Sequence, residues 1–169
     1  MFQLVKASAG DAETLARVQA RAFAEDAEQY GEGPPGYDSV AWQIEAMEQS
    51  AYYAILFGDR IVGGILVNDK GDGHYYVHRL FVDPDFHNQG AASQALAFIE
   101  QTFPAKVLTL HTPYQSYGNQ RFYEKRGYMK IGEERLDGPN LSEGFVLFLY
   151  EKRMPDIPPT PHHPVGKPL

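Results

Sequence analysis

The sequence predicts an α/β (α+β) domain in which a central sheet of about six or seven strands is flanked by about four helices. Three observations carry that expectation. Several short runs show the two-residue alternation or β-branched content of strands, longer runs repeat apolar residues at helical spacing, and the two kinds interleave in the second half of the chain. The length of 169 residues suits one domain, and 43% apolar with 13% aromatic residues supplies a core.

Residues 2–6 alternate as a short strand. Ser8 and Asp11 then give start signals for a helix from about Asp11 to Glu28, with Leu15, Val18, Ala22 and Phe23 on its apolar face. The glycines and prolines between Tyr30 and Tyr37 cannot continue that helix, and a second one runs from about Asp38 to Gln49. Gly58 and Asp59 form a two-residue turn that joins Tyr52–Phe57 to Ile61–Val67 as a hairpin. A further strand from His74 to Val82 ends before Pro84, which cannot donate to a ladder. A helix from Gly90 to Phe103, a strand at Lys106–Leu110 and a helix at about Ser116–Arg126 follow, the last stopped by Gly127. Tyr128–Glu134 and Phe145–Lys152 complete the strands. The domain therefore spans residues 1–154, and residues 155–169 read as a proline-rich tail whose His162 and His163 are inert.

Composition narrows the function. Fifteen Lys and Arg against 22 Asp and Glu leave a net charge of −7, with no basic cluster, which argues against nucleic acid or an anionic membrane as a partner. The chain has no Cys, so disulfides, thiolate metal sites and a cysteine nucleophile are excluded. The N-terminus lacks a secretion signal and the longest apolar run, Phe145 to Tyr150, is too short to span a bilayer, so the expected location is cytoplasmic.

The most informative segment is Leu80 to Ser93: a strand, a short loop and a helix that starts with Gly90, Ala91 and Ala92. The first N–H groups of a helix have no intrahelical partner and the dipole there is positive, so an anion is favoured, and small side chains let it approach. Small residues at a helix start also serve ordinary packing on a sheet, so this feature by itself is weak.

The segment does, however, resemble the acetyl-coenzyme A motif of the GNAT superfamily, Leu-x-Val-x-Pro followed by Arg/Gln-x-x-Gly-x-Gly/Ala, here Leu80, Val82 and Pro84, then His87, Gly90 and Ala92. A second stretch, with Asn119, Phe122, Tyr123, Gly127 and Tyr128, resembles the family's downstream motif, and the order of elements resembles the family fold over about residues 2–153. The resemblance implies a twisted mixed sheet and an N-acetyltransferase that passes an acetyl group from acetyl-coenzyme A to a primary amine of a small molecule or peptide by direct attack. A non-catalytic GNAT module that binds an acyl-coenzyme A is the alternative. The family also implies a homodimer.

Residue roles follow from the same resemblance. The donor's pantetheine arm would pair with backbone at Phe81 and Val82 beside Leu80, one amide there facing the thioester oxygen. His87, Asn88, Gln89, Gly90, Ala91, Ala92 and Ser93 would meet the phosphates. Asn119 would bond the pantetheine or cap its helix, with Phe122 alongside. His87 stands where the family usually has Arg or Gln; a neutral imidazole can donate to a phosphate oxygen without the permanent charge of Arg, implying coenzyme binding that is weaker or tightens as pH falls. Tyr123 matches the family's general acid for the leaving thiolate, its other reading being a core aromatic. His78 occupies the place of a base for the amine, or is a hydrogen-bonded strand residue. Alternation puts His74, Tyr76, His78 and Leu80 on one side of their strand. Tyr30, Tyr37, Tyr76 and Tyr114 are the expected acceptor contacts, with Glu25, Asp26, Glu28 and Glu32 nearby to attract a cationic amine. No metal is expected, since His74 and His78 lack a third ligand.

Overall fold

The computed structural model describes residues 1–155, so nearly all of the proline-rich tail, with its two histidines, lies outside the described residues. Seven strands form one sheet: β1 (Phe2–Lys6), β2 (Ala51–Phe57), β3 (Arg60–Gly71), β4 (His74–Val82), β5 (Val107–Pro113), β6 (Met129–Arg135) and β7 (Val146–Arg153). Their spatial order is β1-β2-β3-β4-β5-β7-β6, and only β4 with β5 is parallel, so the sheet is mixed. The helices are α1 (Ala12–Ala22), α2 (Ala24–Tyr30), α3 (Val40–Gln49), α4 (Ala91–Thr102) and α5 (Tyr117–Glu124).

Five helices stand where four are expected, because the first amphipathic run breaks at Phe23, whose φ of −102° and ψ of 7° end α1. At the break Phe23 packs against Phe81, with 6.2 Å between ring centroids. Ser39 caps α3, its hydroxyl accepting from Trp42 N at 3.1 Å.

Strand alternation divides the core into two layers. Ile55, Ile65, Val67, Tyr75, Val77 and Val82 pack under α4 and α5 with Leu96, Ile99 and Tyr123. Tyr52, Ala54, Leu66 and Phe81 pack under α1 and α3 with Leu15, Val18 and Ala46. One irregularity in β4 sets the face of every residue after it. Leu66 lies opposite Arg79 but the next residue, Val67, lies opposite Val77, so His78 is the extra residue of a β-bulge. The bulge advances the alternation by one. Tyr76 and His78 share one side, that of α1 and α3, whereas Leu80, expected with them, is moved to the α4 side with Val82, and Arg79 and Phe81 take the α1/α3 side.

Candidate active site

β4 and β5 pair only from His74–Val107 to Val77–Leu110; beyond that point β5 continues with β7 and the two strands part. The remainder of β4, Leu80 to Val82, is therefore an edge within the sheet. Asp83 N donates to Val62 O at 2.7 Å, and the register Gly64 to Phe81 keeps the same phase, so the backbone groups of Phe81 and Asp83 turn toward β3. Those of Leu80 and Val82 turn to the open side. The pairing expected at Phe81 and Val82 is thus available at the Leu80 backbone and the Val82 N–H instead, Phe81 being committed to β3 and the Val82 carbonyl to His87.

The open edge forms one wall of a groove of about 900 Å³. Its far walls are the first turn of α4, the start of α5 and the end of α1 with α2. Leu80, Phe81, Val82, His87, Asn88, Gly90, Ala91, Ala92, Ser93, Asn119 and Phe122 all line it, and Gln89 does not. Gln89 is exposed and bonds back to Asp85 O at 3.3 Å. Two left-handed residues, Asn88 (φ 61°) and Gly90 (φ 90°), bend the chain into α4. A Cβ on Gly90 would meet no atom within 4 Å, so it is the backbone angle that glycine serves there.

His87 is held by β4. Its Nε2 lies 2.9 Å from Val82 O, an acceptor only, so Nε2 carries the hydrogen and donates. The neutral ring then offers the groove only the lone pair of Nδ1, and a donor to phosphate exists there only when the ring is protonated. The expectation that a neutral His87 donates to phosphate is corrected on that ground. A permanent charge comes from Arg126, which the sequence reading did not single out: its guanidinium stacks on Phe122 at 3.6 Å and donates to Ser93 Oγ at 2.9 Å, beside the first N–H groups of α4. Arg126 lies beyond α5 at the turn before Gly127, where no spacing rule links it to Ser93, 33 residues earlier.

Tyr123 does not line the groove. It is 9% exposed, behind Phe122 and against Tyr128 and Tyr150, and its hydroxyl has no hydrogen-bond partner among the described residues. Burial above all raises its pKa, Arg126 works against that, and the Tyr76 phenol adds to it. Asn119 sits inside the first turn of α5, exposed and toward the groove; the helix has no side-chain cap, so the capping reading falls away.

The α1/α3 face of β4 and β5 carries a second set of groups. His78 is exposed, its ring 6.0 Å from Trp42 and 6.0 Å from Tyr76, with no hydrogen-bond partner among the described residues. Desolvation, then the charges of Arg79 and Lys70, push its pKa down. Tyr76 Oη lies 2.6 Å from His111 Nδ1, and His111 Nε2 lies 3.4 Å from Glu134 Oε2. The sequence reading missed His111 and Glu134, which stand in different elements and share no motif.

The other expected acceptor contacts differ among themselves. Tyr30 is buried at 2% exposure, bonded to Ser116 Oγ and packed on Tyr114 and Phe145, so it ties α2 to the loop after β5 instead of presenting its ring. Tyr37 is half-buried and folds back on Gly33. Glu25 and Asp26 line the groove, whereas Glu32 accepts from Asn140 N at 2.9 Å. Burial, reinforced by Glu25, raises the pKa of Asp26.

The chain matches the acetyltransferase (GNAT) family over residues 17–128. It belongs to that family. Solved structures agree on the fold of this GNAT domain. PaiA N-acetyltransferase from Thermoplasma acidophilum, in complex with coenzyme A, superposes with a TM-score of 0.72 at 17% identity over 91% of this chain and 99% of that one. The ribosomal-protein-S18-alanine N-acetyltransferase from Escherichia coli gives 0.73 at 14% identity, over 90% and 94%. An acetyltransferase from Thermus thermophilus gives 0.73 at 16%, over 91% and 97%. No curated protein matches the chain. Among the described residues of the domain, no helix is long and apolar enough to cross a membrane.

Proposed function

We propose that this GNAT domain transfers an acetyl group from acetyl-coenzyme A to a primary amine of a small molecule or peptide, by direct attack within a ternary complex. The observation that carries the reading is the open edge of β4, whose Leu80 backbone groups and Val82 N–H face a groove closed at one end by the first turn of α4 and Arg126, the Val82 carbonyl being held by His87. A chain of amides such as pantetheine can pair with such an edge as a strand would. Phosphates suit the far end, where helix N–H groups and a fixed guanidinium meet. The Thermoplasma acidophilum neighbour holds coenzyme A, and the Escherichia coli neighbour acts on an alanine of a ribosomal protein, which supports an amine acceptor.

In this reading a free N–H of the β4 edge stabilises the negative charge that grows on the thioester oxygen as the amine attacks. With no Cys in the chain, attack needs no cysteine intermediate. Tyr123, protonated across the neutral range and set directly behind Phe122 of the groove wall, is the proposed proton source for the departing thiolate. For the amine's own proton the α1/α3 face offers two imidazoles, His78 and His111. Tyr76, Tyr37 and Tyr114 are the proposed acceptor contacts, and Glu25 with Asp26, which line the groove, favours a cationic acceptor.

Calorimetric titration with acetyl-coenzyme A, followed by thiol release in the presence of a panel of primary amines, tests the reading. The expected result is micromolar binding and amine-dependent release. Binding without release for any amine points to the acyl-coenzyme A-binding module; absence of binding overturns both.

A further inference from the structure

We infer that Tyr76, His111 and Glu134 form a proton relay that takes the proton of the incoming amine and delivers it to solvent. The inference rests on the transferase reading above and names its base.

The geometry is directional. Glu134 Oε2 stands 3.4 Å from His111 Nε2, an ion-pair contact, and its negative charge favours the tautomer with hydrogen on Nε2. Nδ1 is then a lone pair, and it accepts from the Tyr76 hydroxyl at 2.6 Å. Tyr76 is left with its oxygen lone pairs free for an amine N–H. When that proton moves to Tyr76 Oη, the hydroxyl proton moves to His111 Nδ1; one N–H and one O–H bond break while one O–H and one N–H bond form. The resulting imidazolium is paired with Glu134. Glu134 is 55% exposed and His111 23%, so the proton has a short way out to water.

Position favours this set over His78. The Tyr76–His111 bond straddles the point where β4 and β5 separate, one residue before Val77 on β4 and one after Leu110 on β5. Tyr76 lies close enough to Tyr123, the group proposed for the other proton transfer, to oppose its ionisation. From Tyr76 the open edge at Leu80 is four residues on, roughly 13 Å of strand before the bulge shortens it; Tyr76, His111 and Glu134 stand outside the groove lining itself, so the relay requires the amine to enter from the α1/α3 face. Among the described residues His78 has neither a carboxylate nor any hydrogen bond to orient it, and it faces two cations.

The charged and titratable groups around the relay are few. Lys70 Nζ lies over the Tyr76 ring at 5.6 Å, and His78 stacks beside that ring. Arg79 bears on the phenol from β4. On β7 the same face carries Glu151, opposite Thr109 and held by Arg153. Burial lowers the pKa of His111 and Glu134 raises it, so loss of Glu134 makes the imidazole a weaker base.

The test uses the full chain with saturating acetyl-coenzyme A and three probe amines, 1,4-diaminobutane, tyramine and a tripeptide with a free α-amine. Rates are followed against pH, and coenzyme binding by calorimetry in parallel. His111→Gln is expected to lower kcat/KM by about 10²- to 10⁴-fold and to abolish the acidic limb of the profile, with coenzyme affinity unchanged. Tyr76→Phe should behave alike. Glu134→Gln should keep most of the rate and move the acidic limb to lower pH, a shift that a merely structural tie would not produce. His74→Gln, which disturbs a neighbouring bond to Thr109, should leave both rate and limb in place. If His111→Gln retains the wild-type rate and profile, or only lowers thermal stability, the relay is overturned while the transferase stands. A wild type that binds no acetyl-coenzyme A, or that binds it and acetylates none of the three amines, overturns the relay together with the transferase reading.

Discussion

Arg79 is buried at 6% exposure with no carboxylate against it among the described residues. Its guanidinium donates to Gln19 Oε1 at 2.7 Å and to Pro35 O at 2.9 Å, and stacks over Trp42 at 4.1 Å. Gln19, Gln43 and Tyr52 continue the network. Burial brings its pKa down to about 10, so it stays charged at neutral pH and depresses the basicity of His78 beside it. Neutral acceptors thus tie the loop at Pro35 and Gly36 to the α1/α3 face while leaving a cation there. Tyr123 is the opposite case, a buried acid that burial keeps protonated. Tyr123→Phe keeps the ring packing against Tyr128 and Tyr150, so the expected result is a kcat lowered by about 10²-fold with coenzyme affinity unchanged. Single-turnover rates with and without the substitution decide it; an unchanged kcat removes the general-acid role.

At the scale of elements, the β3–β4 contact sets the open edge. Gly63 lies opposite Val82, and a Cβ on it would run into the Phe81 carbonyl oxygen. Gly63→Ala should therefore push β3 from β4 at a cost of about 1–3 kcal/mol, lower Tm, and weaken acetyl-coenzyme A binding because the edge moves. Gly132→Ala on β6 is the control, since the new methyl would meet Leu149 at 4.0 Å, an ordinary contact. Thermal unfolding and calorimetry on both variants check this; equal behaviour would mean that the edge tolerates displacement. The strands and the helices α3, α4 and α5 were legible in the sequence to within a few residues, because their periods of two and 3.6 are local properties. The break at Phe23 was not, since the apolar pattern runs through it and the reason for the turn is Phe81 on β4. The bulge at His78 was hidden likewise: it exists only in the register with β3.

For the whole molecule, histidine protonation links stability to pH. His78 and His111 both have lowered pKa values, mainly through desolvation, so in the window just below ~6.5 the unfolded chain binds protons that the folded chain refuses. Stability rises with pH there and is lost as pH falls. Asp26 acts with the opposite sign, but its window begins near the ordinary carboxylate range. Tm is expected to fall from neutral pH toward pH ~5, and a His78→Gln, His111→Gln double variant should flatten that slope; a slope unchanged in the variant would assign it elsewhere. By itself the sequence determined the order of elements, the loop and small-residue start of α4 and the family they point to, because each is written in neighbouring residues. Only the tertiary structure decided which atoms meet across that scaffold. Tyr76 finds His111 at a separation of 35 residues, Arg79 finds Pro35 at 44 and Gln19 at 60, and the groove opens where β4 leaves β5. Strand register and helix packing bring these groups together, and neither is a property of any one segment.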